Sequence, residues 1–145
     1  MRRGRTGLVT LALCALATLA AAAATQESDL AAVLSEGFAL FDRQDMAAAR
    51  TLFTDALSRA RESGDEWAEA EAQRGLGRIH YRTGRYAEAD AALQQALDAF
   101  LAQGDRLGAA RCVSHLGSLS VALGRPSSNL ETAAPVLPGE SSVTL

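Results

Sequence analysis

The sequence predicts an all-α fold, an antiparallel helix-hairpin repeat solenoid with five helices and about two and a half repeats. The chain of 145 residues has the length of one domain. It contains 31 alanines but only 5% aromatic residues, which favours close-packed helices over a sheet. The sequence also matches itself when it is shifted so that Gly37 falls on Gly77 and Gly77 on Gly117, the mark of a repeated structural unit. Between the aligned glycines, apolar residues recur every three or four positions, as they do on one face of a helix.

The segment 1–24 is typical of a secretory signal peptide. Arg2, Arg3 and Arg5 form a charged start, an apolar run covers residues 8–19, and small residues precede Thr25. We therefore expect cleavage before Thr25 and export to the periplasm or the extracellular space, with no stable membrane insertion afterwards. The alternative is an uncleaved segment that anchors the protein in a membrane, although residues 8–24 are rich in alanine and short for a span.

The charge of the remaining chain disfavours nucleic acid as the main partner. Without residues 1–24, the chain has 11 arginines, no lysine and 17 acidic residues, a net charge of −6. Phosphate binding needs a basic surface, which this balance does not provide. Cys112 is the one cysteine left, so no intrachain disulfide can form.

Five helices follow from the periodicity and from the residues at the predicted helix ends. We place them at residues 27–43, 46–63, 65–83, 86–103 and 105–123. Asp45, Asp65 and Asp105 stand at predicted helix starts, where a short acceptor side chain satisfies a free backbone N–H. Glycines stand at the predicted ends of the later helices, where a left-handed backbone is common: Gly64, Gly84, Gly104 and Gly124.

Two short motifs recur at the interval of 40 residues. The first consists of Ala49, Phe53 and Ala56 in one copy and of Ala89, Leu93 and Ala96 in the next, and the second is Leu76-Gly77 and Leu116-Gly117. These motifs resemble the tetratricopeptide repeat: the first is similar to the signature of its second helix, and the second to the Leu-Gly pair of its first helix. The period of 40 resembles the subclass whose second helix is extended and ends in Gly-Asp. The resemblance covers about residues 27–123, and it departs from the family at Gln73, Val113 and His80, where large aromatic residues are frequent.

The same register assigns the core and the limits of the repeat domain. Four large residues should fill the gaps between helix layers: Phe53, Leu93, Leu97 and Phe100. Seven small residues should lie where helices cross: Gly37, Gly77, Gly117, Ala49, Ala56, Ala89 and Ala96. We divide the chain into a signal peptide (1–24), a repeat domain (25–123) and a disordered tail (124–145), because prolines and serines replace the pattern after Gly124. The fifth helix would then keep one apolar side uncovered.

The residues that could carry chemistry are few. Cys112 and His115 share one helix face, but a metal site needs three or four ligands, and a nucleophile needs a base and an orienting group. We interpret them as a buried thiol beside a partly buried histidine. The sequence thus predicts no enzyme activity, no metal and no cofactor. Trp67 is more readily explained as a core residue than as a binding aromatic.

The resemblance implies a concave groove, lined by the first helices of successive repeats, that receives an extended peptide or a helix. Arg74, Arg78 and Arg82 are four positions apart and form one stripe on the third helix. An apolar shelf on the first helix would lie opposite. We assign eight residues to this groove: Leu34, Phe38, Phe41, Arg74, Arg78, Tyr81, Arg82 and Arg111.

These residues predict an exported, non-enzymatic scaffold that binds a protein or peptide, acidic or carboxylate-ended, with an apolar anchor. The asparagines of the carboxylate clamp found in heat-shock-chaperone binders are missing, since Asn129 is the one asparagine. The alternative for the stripe is a solvated arginine face neutralised by Glu71 and nearby acids. Two alternatives for the function are a homo-oligomer paired through the apolar last helix, and an accessory or truncated remnant of a larger enzyme that contains these repeats.

Overall fold

The computed structural model describes residues 29–124, which form five helices and no strand. The described part of α1 covers residues 29–42. It is followed by α2 (Met46–Ser63), α3 (Glu66–Arg82), α4 (Tyr86–Ala102) and α5 (Arg106–Ala122). The predicted fold class is confirmed, and the ends of α2 to α5 lie within one residue of the predicted ones. The predicted signal peptide and nearly all of the predicted tail lie outside the described residues.

Short turns between the helices are closed by the residues predicted from the sequence. The carboxylates of Asp45, Asp65 and Asp105 each accept a hydrogen bond from the backbone N–H three residues later, at 2.9 to 3.1 Å. The four predicted end glycines have φ between 63° and 75°. Gln44 adopts the same left-handed conformation with φ 68°, in the turn that corresponds to Gly84. That conformation is unfavourable for a residue with a Cβ.

The first core layer is built around the ring of Phe53 on α2. A Cβ added at Gly37 on α1 would lie 2.8 Å from Phe53 Cε1, and one at Gly75 on α3 would lie 2.6 Å from it. Both distances are too short for a real side chain, so the two glycines let α1 and α3 close over the ring. Gly37 was predicted for this crossing, but Gly75 was not.

The second core layer uses the same device with different residues. On α4, Leu93 packs against Gly77, and Phe100 packs against Gly108 of α5, where an added Cβ would lie 2.5 Å from Phe100 Cδ1. The four large residues predicted to fill the layers are all buried. Gly108 was not predicted to lie at a helix crossing, because it aligns with an alanine, Ala68, in the preceding repeat.

Trp67 does not take the buried position that the sequence favoured. It is 42% exposed in the first turn of α3. The neighbouring Ala68 and Ala72 are fully buried on the side of α3 that packs against α2. Because each residue turns the helix by about 100°, Trp67 points away from that side.

Part of the apolar set predicted to stay uncovered on α5 is exposed among the described residues, and part of it is buried. Cys112, Leu116 and Leu119 are buried, whereas Leu107 is 62% and Val121 is 80% exposed. Within residues 29–124, no helix is long and apolar enough to cross a membrane.

Candidate peptide-binding face

The first helices of the hairpins, α1, α3 and α5, contribute neighbouring side chains to one surface, which we call the groove face. Arginines of α3 lie over two phenylalanine rings of α1, and α3 and α5 share the walls of a pocket. Four of the eight predicted residues, Phe41, Arg78, Tyr81 and Arg82, line the pocket. Arg74 lies over the ring of Phe38, Arg111 is half-exposed, and Leu34 is buried in the core. The chemistry of the face therefore depends on which arginines remain accessible.

Arg74 is buried and paired. Its Nη2 donates a hydrogen bond to Glu71 Oε2 at 2.6 Å, and the two side chains are only 7% and 5% exposed. Its guanidinium also lies 4.4 Å from the ring centroid of Phe38. The other carboxylate oxygen of Glu71 lies 3.9 Å from Nη1 of Arg111. Glu71 thus neutralises the charge of Arg74, as expected from the alternative in which Glu71 and nearby acids neutralise the arginine stripe.

Arg78 is half-buried but remains accessible. Its guanidinium carbon lies 4.2 Å from the ring centroid of Phe41 and 5.6 Å from that of Phe38, within the range of cation–π attraction. Asp42 Oδ1 approaches Nη2 at 3.7 Å, a long contact to an exposed carboxylate. Burial and the positive charge of Arg74 lower the pKa of Arg78. A desolvated guanidinium with a distant partner is suited to bind a further anion.

Arg82 and Arg111 complete the accessible charges. Arg82 Nη2 donates a hydrogen bond of 2.6 Å to the side-chain oxygen of Gln44, in the strained turn between α1 and α2. No carboxylate pairs with Arg82 among residues 29–124. Arg111 on α5 is half-exposed beside Glu71.

The residues of the predicted apolar shelf are more buried than the sequence suggested. Leu34 and Phe41 are buried, and only Phe38 is partly exposed. The ring of Phe38 packs at 4.7 Å from that of Phe53, so Phe38 joins the core to the surface. Leu34 is therefore part of the core beneath the groove face, and Phe41 lines the pocket between α3 and α5.

That pocket has a volume of about 190 Å³ and combines positive, polar and apolar walls. It is lined by Phe41, Arg78, Tyr81, Arg82, Leu93, His115 and Ser118. Leu93, His115 and Ser118 were not predicted as site residues. Ser118 could have been predicted from the repeat, because it aligns with two predicted site residues, Arg78 in the preceding repeat and Phe38 in the repeat before that.

Two buried or partly buried groups of α5 have pKa values that keep them neutral at neutral pH. Burial, followed by the positive charges of Arg78 and Arg74, lowers the pKa of His115 to about 4. Burial raises the pKa of the Cys112 thiol to about 11, so the thiolate needed for nucleophilic attack is scarce at neutral pH. Cys112 is buried and His115 is partly buried, as the sequence predicted. Among the described residues, no group of three or more His, Cys, Asp or Glu side chains could hold a metal ion.

Paired helices that bury their apolar stripes only by stacking define a helix-hairpin repeat protein. The family model described as tetratricopeptide repeat matches residues 29–102, just over half of the chain. The chain belongs to the tetratricopeptide repeat family, whose repeats generally mediate protein–protein interactions and are generally non-catalytic. The search of curated proteins found no match, and neither did the search of solved structures.

Proposed function

We propose that the protein is an exported, non-enzymatic scaffold whose groove face binds an acidic or carboxylate-ended segment of a partner protein. The partner segment lies across α1, α3 and α5 and also offers an apolar side chain. Its negative charge meets the accessible arginines, and its apolar group contacts Phe38 or Phe41. The family supports a protein partner, and the charges of the face support the acidic character of its ligand.

The position of Arg78 is the observation that carries this proposal. The guanidinium is desolvated and lies over the ring of Phe41, yet the acid nearest to it, Asp42, is 3.7 Å away and exposed. Arg74, by contrast, is already committed to Glu71. The accessible stripe is thus Arg78 and Arg82 on α3 with Arg111 on α5.

We expect the substitution Arg78→Glu to weaken ligand binding at least tenfold, about 1.4 kcal/mol, because it replaces an attractive charge by a repulsive one. The ligand is selected from a displayed library of random peptides, and its affinity is measured by isothermal titration calorimetry. Circular dichroism should show unchanged helix content, since Arg78 lies at the edge of the core.

The matched control is Arg50→Glu, which makes the same charge change at an exposed position of α2. It should leave the affinity unchanged. Arg74 is unsuitable for this test because its replacement would leave Glu71 buried without its partner. Equal binding by wild type and Arg78→Glu would show that the groove face is not the binding site.

A homo-oligomer is the second candidate, favoured by the exposed apolar side of α5. Leu107 and Val121 are large apolar residues open to solvent in the described chain, and such a surface often marks an interface. Light scattering separates the candidates: a stable dimer that binds no library peptide would favour the oligomer, and a monomer that binds one would favour the groove.

Export is the part of the proposal that rests on residues 1–24 alone. We expect the native protein to begin near Thr25 and to be found outside the cytoplasm, because the charged start, apolar run and small residues follow the pattern of cleaved signals. Amino-terminal sequencing of protein from fractionated native cells measures both. Recovery of chains that retain Met1 from the cytosolic fraction would contradict export.

A further inference from the structure

We propose that the pocket between α3 and α5 is a carboxylate subsite, with Arg78 and Arg82 as the charged contacts and Gln44 as the residue that positions Arg82. The carboxylate belongs to the terminus or to an acidic side chain of the bound segment, and an adjacent apolar side chain contacts Leu93 and Phe41. This inference rests on the proposed function, because it names the chemistry that anchors the ligand on the groove face.

The pocket exists because the two layers of the array are filled differently. In the layer between α1 and α3, Phe38 and Phe53 pack ring against ring above Gly75. The repeat register places Arg78, Leu93 and His115 at the corresponding points of the next layer. Leu93 is smaller than phenylalanine, and the cavity of about 190 Å³ opens beside it.

The residues that differ between the first and second layers also make the pocket polar. Ser118 on α5 takes the place that Arg78 of α3 has in the first layer, so a short hydroxyl side chain lines the pocket where an arginine lies near Phe38 in the first layer. Tyr81 is a second hydroxyl-bearing residue in the lining. The lining thus combines two arginines and two hydroxyl-bearing residues with the apolar side chains of Phe41 and Leu93, which matches a carboxylate next to an aliphatic side chain.

The charges around the pocket are unbalanced in favour of an anion. From α3 the pocket receives Arg78 and Arg82, with Arg74 behind them, and from α5 it receives His115. Glu71 is engaged by Arg74, and Asp42 reaches Arg78 only at 3.7 Å. The neutral form of His115 avoids repulsion from Arg78 and Arg74, and a carboxylate bound there would favour its protonated form.

Gln44 is a second, independent observation at the same place. The corresponding turns have glycine at this position, whereas Gln44 adopts φ 68° in spite of its Cβ. Its side-chain oxygen accepts the 2.6 Å hydrogen bond from Arg82. A strained residue whose side chain holds a pocket arginine is the arrangement expected where stability has been lost in favour of binding.

Three tetrapeptides test the subsite on the full, isotope-labelled chain by nuclear magnetic resonance. The first has three alanines and a C-terminal leucine with a free carboxylate, the second is its C-terminal amide, and the third is that amide with aspartate before the leucine. We expect at least one carboxylate peptide to bind tenfold or more tightly than the plain amide and to shift the signals of His115 and Ser118. The same peptide should raise the pKa of His115 from about 4.

The first and third peptides separate the two sources of the carboxylate, the chain terminus and an acidic side chain. Inorganic phosphate serves as an anion without an apolar group. If phosphate binds more tightly than either carboxylate peptide, or if the plain amide binds as tightly as they do, the carboxylate assignment is wrong.

Two variants test the geometry. Ser118→Leu should fill the pocket from its exposed rim and weaken binding of the carboxylate peptide at least tenfold, whereas Ser58→Leu, on the exposed side of α2, should not. Gln44→Gly should raise the melting temperature, because it relieves the left-handed backbone, and should still weaken binding by releasing Arg82. A purely structural role for Gln44 would leave the affinity unchanged.

The outcomes distinguish this subsite from the broader proposal. If Arg78→Glu weakens the library-selected ligand and Ser118→Leu has no effect on it or on the tetrapeptides, the groove face binds its ligand outside the pocket and the subsite is refuted. If tetrapeptides bind in the pocket but no library peptide depends on Arg78, the subsite stands and the proposed function does not.

Discussion

Replacement of Phe53 by alanine should lower the free energy of unfolding by about 3–5 kcal/mol, the range measured for buried phenylalanines. The side chain is fully buried, and its ring occupies the space left by Gly37 on α1 and Gly75 on α3. The lost contacts therefore include two helix crossings as well as the packing of Phe38. Because a domain of this size has about 5–15 kcal/mol of stability, the variant should be close to unfolding.

Urea denaturation followed by circular dichroism measures this effect. The control is Leu101→Ala, which removes a large apolar side chain that is 44% exposed on α4 and should cost far less. A loss below about 1 kcal/mol for Phe53→Ala, the range of ordinary surface changes, would mean that the first layer repacks without its central ring.

The helices and most of the core residues could be predicted from the sequence, but some contacts between helices could not. Helix positions, caps and the large core residues followed from periodicity and from the aspartates and glycines at fixed intervals, because these are local patterns. Gly75 and Gly108 were missed, since their use depends on which ring of another helix lies opposite them. Trp67 was misjudged because size favours burial on average, whereas its one-residue offset from Ala68 turns it to solvent.

The candidate site was predicted less completely than the fold. The spacing of Arg74, Arg78 and Arg82 shows that they share a stripe, but it does not show the depth of each side chain. Arg74 and Arg78 are one helical turn apart, yet only Arg74 meets Glu71 at hydrogen-bonding distance. Likewise, the hydrogen bond between Gln44 and Arg82 joins residues that are 38 apart in sequence, and a local pattern cannot predict such a contact.

The buried pair of Glu71 and Arg74 leads to the second large effect. Substitution of Glu71 by alanine should lower the free energy of unfolding by about 3–5 kcal/mol, because Arg74 would keep its charge in a buried place without a partner. Arg74 already has one buried nitrogen, Nε, without a hydrogen-bond acceptor among the described residues. The guanidinium of Arg74 is stabilised by the 2.6 Å hydrogen bond to Glu71 and by its contact with the ring of Phe38.

An exposed ion pair of similar geometry provides the control. Arg61 Nε lies 2.8 Å from Glu69 Oε1, but the two side chains are 54% and 37% exposed. Glu69→Ala should therefore cost less than about 1 kcal/mol, as surface pairs generally do. The difference between the two glutamate variants isolates burial, since both remove a carboxylate that accepts a hydrogen bond from an arginine.

A double variant separates the value of the pair from the penalty of breaking it. Glu71→Leu combined with Arg74→Met removes both charges and fills similar volumes, and replacement of a buried pair by apolar residues is often neutral or stabilising. We expect the double variant to be more stable than Glu71→Ala by at least about 2 kcal/mol in urea denaturation, most of the penalty for a lone buried charge. If the double variant is as unstable as Glu71→Ala, the pair itself stabilises the fold, and the loss does not come from the orphaned guanidinium.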